Sequence, residues 1–127
     1  MKILYRLEIQ KDSREEQISE VFEQEKLSDN DKEYIRDIAD GVFKNGKYID
    51  GIIEKNSKKW KIDRIPKVDL CILRLSIYEM RFRKDIPSSV SINEAVELAK
   101  KYSDFEAGSF VNGVLGKVSD EFENIND

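Results

Sequence analysis

Cys71 and the carboxylates are the side chains from which catalysis would have to be built, because the sequence contains no histidine. That absence removes the commonest general base, the usual third member of a nucleophilic triad and the commonest metal ligand together. A lone thiol without a histidine to take its proton makes a weak nucleophile. Cys71 also lies in the apolar run "VDLCILRL", where a reduced, buried, unreactive thiol of a cytoplasmic protein is the plain expectation. Carboxylates are abundant, 26 in all, but fall mostly on the polar faces of amphipathic stretches. Neither GxxxxGK[ST] nor GxGxxG occurs, so no phosphate-cradling loop is encoded. The expected chemistry is therefore binding, without catalysis, cofactor or metal.

Charge is distributed unevenly, which bears on what could be bound. Residues 10 to 40 carry eleven acids against five bases, net −6, and residues 44 to 67 carry eight bases against three acids, net +5. The stretch "KNSKKWKIDR" within the second block reads either as a solvated helix end or as a footprint for an anionic partner such as RNA. The whole-chain charge of −4 argues against strong, indiscriminate nucleic-acid binding.

The elements that would position these groups are helical. A chain of 127 residues suits a single domain over 1–127 and buries roughly two-thirds of its unfolded surface. Ile3, Leu4 and Leu7, then Ile18, Val21 and Phe22, recur at helical spacing. Ser28 and Asp29 cap a helix carrying Tyr34, Ile35, Ile38, Ala39, Val42 and Phe43. Asn45-Gly46 ends or loosens that helix before Tyr48, Ile49, Ile52 and Ile53 continue the pattern. Pro66 suits the first position of the next helix, which is apolar nearly all round from Val68 to Phe82 and reads as the centre of a bundle. Arg74 and Glu79 interrupt that helix, and each should reach a partner or the surface. Ser91–Glu94 and Ser103–Glu106 have the spacing of capping boxes, the first with Val90 and Ala95 as its hydrophobic staple. Six to seven helices and no strands make an all-α bundle. The start "MKILYRLEIQ" lacks a signal-peptide core, and no apolar run approaches the roughly 20 residues that span a bilayer.

In "SFVNGVLGKV" a helical apolar pattern carries Gly113 and Gly116, each costing roughly 1 kcal/mol relative to alanine. Close approach of a neighbouring backbone is the packing gain expected to offset that cost. Phe110 belongs either to the core or to an exposed stacking surface for an unpaired base. Asn112 is either a local cap or a hydrogen-bonding partner for RNA.

The succession "WKIDRIPKVDLCILRLSIYEM", "DIPSSVSINEAVELAKKY" and "SFVNGVLGKV" resembles NusB, the bacterial transcription antitermination factor family, strongly over residues 60 to 118 and more weakly from "LYRLEI" to "GVF". The resemblance implies two small helical bundles packed together and no reaction chemistry. It also implies binding of boxA RNA jointly with a small-subunit ribosomal protein acting as NusE. That complex would modify the RNA polymerase elongation complex for processive transcription of ribosomal RNA operons. By position, Tyr5 matches a tyrosine beside the family's RNA path, with Lys2 and Arg6 on the same helix, and Phe110 and Asn112 match positions near the RNA surface. Asp69 matches an acidic position that faces NusE, and Arg74 serves either that interface or an internal salt bridge. Glu106 falls where an acid beside the RNA site would discourage binding. Some members self-associate through the RNA surface, so a homodimer is a further expectation.

Family members open with an arginine-rich stretch, whereas this sequence starts at "MKILYRLEI". Either the true start lies upstream, or RNA affinity is reduced and the chain works as a helical protein-interaction module. A third reading, the NusB-like domain of an RNA cytosine methyltransferase, is disfavoured because no catalytic domain follows "DEFENIND".

Overall fold

The computed structural model describes residues 28–57 and 60–126. Five α-helices and one short 3-10 turn make up this part: α1 (Asp29–Lys44), α2 (Gly46–Asn56), the turn Ile62–Arg64, α3 (Lys67–Phe82), α4 (Ser88–Tyr102) and α5 (Phe105–Asn126). Among the described residues there is no strand, as the sequence periodicity predicts. The amphipathic stretches at Ile3–Leu7 and Ile18–Phe22 lie outside the described residues, so the helices described number five rather than six or seven.

Capping chemistry explains where the first helices start and stop. Ser28 Oγ accepts the Asp31 amide at 3.1 Å, and Asp29 and Asp31 occupy the first turn, where the helix dipole favours acids. At the far end the Asn45 backbone amide and its side-chain Nδ2 both donate to the Gly41 carbonyl, at 2.9 and 2.8 Å. The chain turns a corner there and α2 begins at Gly46. Ile38, Ala39 and Val42 of α1 and Ile49, Ile52 and Ile53 of α2 are buried.

Helix α3 is the hub and packs against all four other helices. Leu70, Cys71, Ile72, Leu73, Ile77 and Met80 are all buried, each large aliphatic contributing about 1.5–3 kcal/mol of transfer free energy. Burial pushes the Cys71 thiol up to about 11, so it stays protonated at neutral pH. The α4–α5 contact is the most extensive, giving α3, α4 and α5 a three-helix unit. Helices α1 and α2 add a second layer on α3, and α2 also reaches α5. Both interruptions of α3 find partners. Arg74 grips Asp50 of α2 with Nε and Nη2 at 2.9 Å each, and buried Glu79 accepts the Tyr34 hydroxyl of α1 at 2.6 Å.

Three local expectations are corrected. Helix α4 starts at Ser88 behind Pro87, whose φ of −61° is already suited to a helix start. Ser91 therefore sits inside the helix, buried against α3, where its carbonyl accepts the Ser76 hydroxyl at 3.4 Å. It does not cap, and Val90 is exposed rather than stapled. In the next turn the cap is Asp104, one residue later than expected, with Oδ1 accepting the Ala107 amide at 2.7 Å. Finally, a Cβ at Gly113 or Gly116 would meet nothing within 4 Å among the described residues. The close approach belongs instead to Gly41, where a Cβ would overlap the Tyr78 ring as it crosses α1.

Candidate RNA and partner interface

The Asp104 cap starts α5 immediately after α4 ends, and this sharp reversal brings the first turns of α5 beside the start of α3. Between them lies an open cleft of about 890 Å³. Trp60, Arg64 and Ile65 close one side, Pro66 and Asp69 form the start of α3, and Ser103 to Ala107 with Ser109 and Phe110 form the far wall. Trp60 is held by its carbonyl, which accepts the Ser57 hydroxyl at 3.0 Å, while its ring is exposed. Phe105 is 72 % exposed, and Lys100 lies over its ring at 5.5 Å. Two large apolar rings thus stand in water at the rim.

Asp69 lies at the cleft with only 4 % of its surface exposed, and its Oδ1 has no hydrogen-bond partner among the described residues. Burial raises its carboxyl above the ordinary range, the Ser103 hydroxyl pulls it back, and the Asp104 carboxylate pushes it further up. Asp104 and Glu106 share the wall, opposed among the described residues of the cleft by Arg64. Among the described residues the acidic floor around Asp69 suits a cationic side chain, and the rings at the border offer faces for stacking.

The expected site residues are placed unequally. Phe110 is partly buried, packed against the core, and lines the cleft. Asn112, two residues on and about 200° around the helix, is exposed and does not line the cleft. Arg74 is likewise remote from the cleft and engaged with Asp50. Lys2, Tyr5 and Arg6 lie outside the described residues. The basic block divides, with Lys44 and Lys47 at the α1–α2 corner and Lys61, Arg64 and Lys67 around the 3-10 turn. Sequence reasoning missed Trp60 and Phe105 as surface groups. Trp60 carried a usable signal, an aromatic set in a basic run, whereas Phe105 looks like any helix-start apolar residue.

Among the described residues no helix is long and apolar enough to cross a membrane, and no cluster of acids and thiol could hold a metal ion. Fold and surface together define a helical binding module that presents rings, carboxylates and cations at the junction of α3, α4 and α5. The NusB family profile matches residues 1–120. The transcription antitermination protein NusB of Acetivibrio thermocellus is 67 % identical over 118 residues, covering 93 % of this chain and 81 % of that protein. Its namesake from Clostridium acetobutylicum is 47 % identical, covering 97 % and 91 %. Among solved structures, T. maritima NusB superposes with a TM-score of 0.88 at 36 % identity, covering 94 % of this chain and 84 % of that one. A complex of the antitermination factors NusB and NusE with dsRNA gives 0.84 at 34 % identity, covering 94 % and 89 %. The chain belongs to the NusB family.

Proposed function

We propose that this protein is a cytoplasmic transcription antitermination factor that works by binding and performs no reaction. It holds boxA-type RNA together with the small-subunit ribosomal protein acting as NusE. The assembly joins the RNA polymerase elongation complex and keeps it processive through ribosomal RNA operons. The observation that carries this reading is the match, over nearly the whole chain, to a fold solved with both NusE and RNA on it. The acidic floor at Asp69 supports a partner surface for the basic ribosomal protein, and the RNA is assigned to Phe110, Asn112, Lys2, Tyr5 and Arg6 by their match to the family's RNA positions.

Transcription in vitro through a terminator tests it. With the chain, its NusE-type partner and the remaining elongation factors present, read-through should rise on a template carrying boxA and stay at baseline on one with boxA scrambled. Equal read-through on both templates would refute the proposal.

A further inference from the structure

A second aromatic surface lies far from the cleft, where the α1–α2 corner meets the end of α3. Tyr48 and Phe82 are 44 % and 43 % exposed, with ring centroids 6.3 Å apart and planes crossing at 66°. The arrangement is rigid from beneath. Phe82 rests on the buried Tyr78 ring at 5.2 Å, and Arg81 Nε donates to the Tyr48 hydroxyl at 3.1 Å while its guanidinium lies over Phe122 of α5 at 5.8 Å.

Two cations lie close in sequence to each exposed ring: Lys44 and Lys47 precede Tyr48 at the α1–α2 corner, and Arg81 and Lys84 bracket Phe82 at the end of α3. None of the four has a carboxylate within ion-pair distance among the described residues. Four nearby acids are paired with other cations, while Asp40 adds a negative charge beneath the patch beside Tyr78. Asp37 and Asp85 hold Arg83, Asp50 holds Arg74, and Glu121 holds Lys55 at 2.7 Å. The patch therefore keeps four positive charges outside these pairs around two open rings, in a chain whose net charge is negative. Stationary rings that stack on bases and unpaired cations that meet phosphates are what a single strand needs.

We propose that the Tyr48–Phe82 surface is a second contact for single-stranded RNA, engaging nucleotides that flank the segment held near Phe110. The inference rests on the RNA-binding reading above. Phe110 and Phe122 are twelve residues apart on α5, about 18 Å along the helix axis, so a strand touching both ends must extend beyond the first segment.

The test is anisotropy with the full chain and its NusE-type partner, using labelled boxA RNA alone and the same RNA extended on either end by a tract of uridines. Extension on one side should tighten wild-type binding about fivefold or more, the scale of one lost base–aromatic stack. Tyr48→Leu and Phe82→Leu, the second of which keeps apolar bulk over Tyr78, should abolish that gain and leave the short RNA's affinity unchanged. Lys44→Gln with Lys47→Gln should lower the salt slope for the extended RNA by roughly 0.7 per lost phosphate contact. A 4-thiouridine in the extension should crosslink to the peptide bearing Tyr48 or Phe82. An extension that adds nothing, or variants that retain its gain, would overturn the second contact while leaving the RNA-binding reading intact. Failure of the wild type to bind either RNA would overturn both.

Discussion

Replacing Asp69 with asparagine separates a structural role for this buried carboxylate from a binding role. The folded protein holds the Asp69 proton more tightly than the unfolded chain does, because burial outweighs the help of Ser103. A carboxyl whose folded pKa is raised contributes favourably below its unfolded pKa of about 3.9, and that contribution is lost as pH rises through the folded pKa. At pH 7 the ionised side chain is thus a cost. Asparagine keeps a buried polar group at this position, so the substitution relieves only the extra cost of burying the charge, on the order of 1–2 kcal/mol. Asp69 also sits in the first turn of α3, where the helix dipole returns about 0.3–1 kcal/mol to the charged form. The balance is a net gain of about 1 kcal/mol for Asp69→Asn at pH 7, a rise in Tm of about 3–5 °C for a chain this size. Circular-dichroism melts at pH 7 and pH 4 check it. The gain should shrink at the lower pH, where wild-type Asp69 takes up its proton, and affinity for the NusE-type protein should fall. A variant that melts lower than wild type at pH 7 would refute the reasoning, since it would show the charge anchoring the fold.

Other substitutions probe the packing. Gly41→Ala drives a methyl into the Tyr78 ring and should cost about 1–3 kcal/mol in urea unfolding, whereas Gly113→Ala, with open space around it among the described residues, should gain about 0.5–1 kcal/mol. Tyr34→Phe strips buried Glu79 of its hydroxyl donor and should cost about 1–3 kcal/mol at pH 8. Burial raises the Glu79 carboxyl and Tyr34 lowers it, so losing Tyr34 raises it further; the loss should be smaller at pH 4, where Glu79 is protonated. A double-mutant cycle on Arg74→Ala and Asp50→Ala should return about 1 kcal/mol of coupling, because the two-pronged pair is partly shielded from water. Coupling near zero would free Arg74 for an intermolecular role.

The bundle was legible wherever apolar periodicity was long: α1, α2 and the all-round apolar α3 follow directly from residues 34 to 82. Capping was legible at Ser28 but not at α4, because Pro87 starts the helix four residues before the Ser91–Glu94 spacing suggests. Glycine roles were not legible at all. Gly41 is needed because a tyrosine 37 positions later crosses it, and no local pattern records such a contact. Family resemblance singled out Asp69 and Phe110, and the cleft shows what they share: a wall made only when the α4–α5 reversal meets the start of α3. Trp60, Phe105 and the Tyr48–Phe82 pair emerged from exposure, a tertiary property that composition and spacing do not encode.

The central claim, joint recognition of RNA, is tested most directly by titrating labelled boxA RNA with this chain across a salt series, with and without the NusE-type protein. The account predicts tight binding that weakens steeply with salt, and only when the partner is present. A chain that pairs with the partner yet leaves the RNA free at every salt concentration would contradict it.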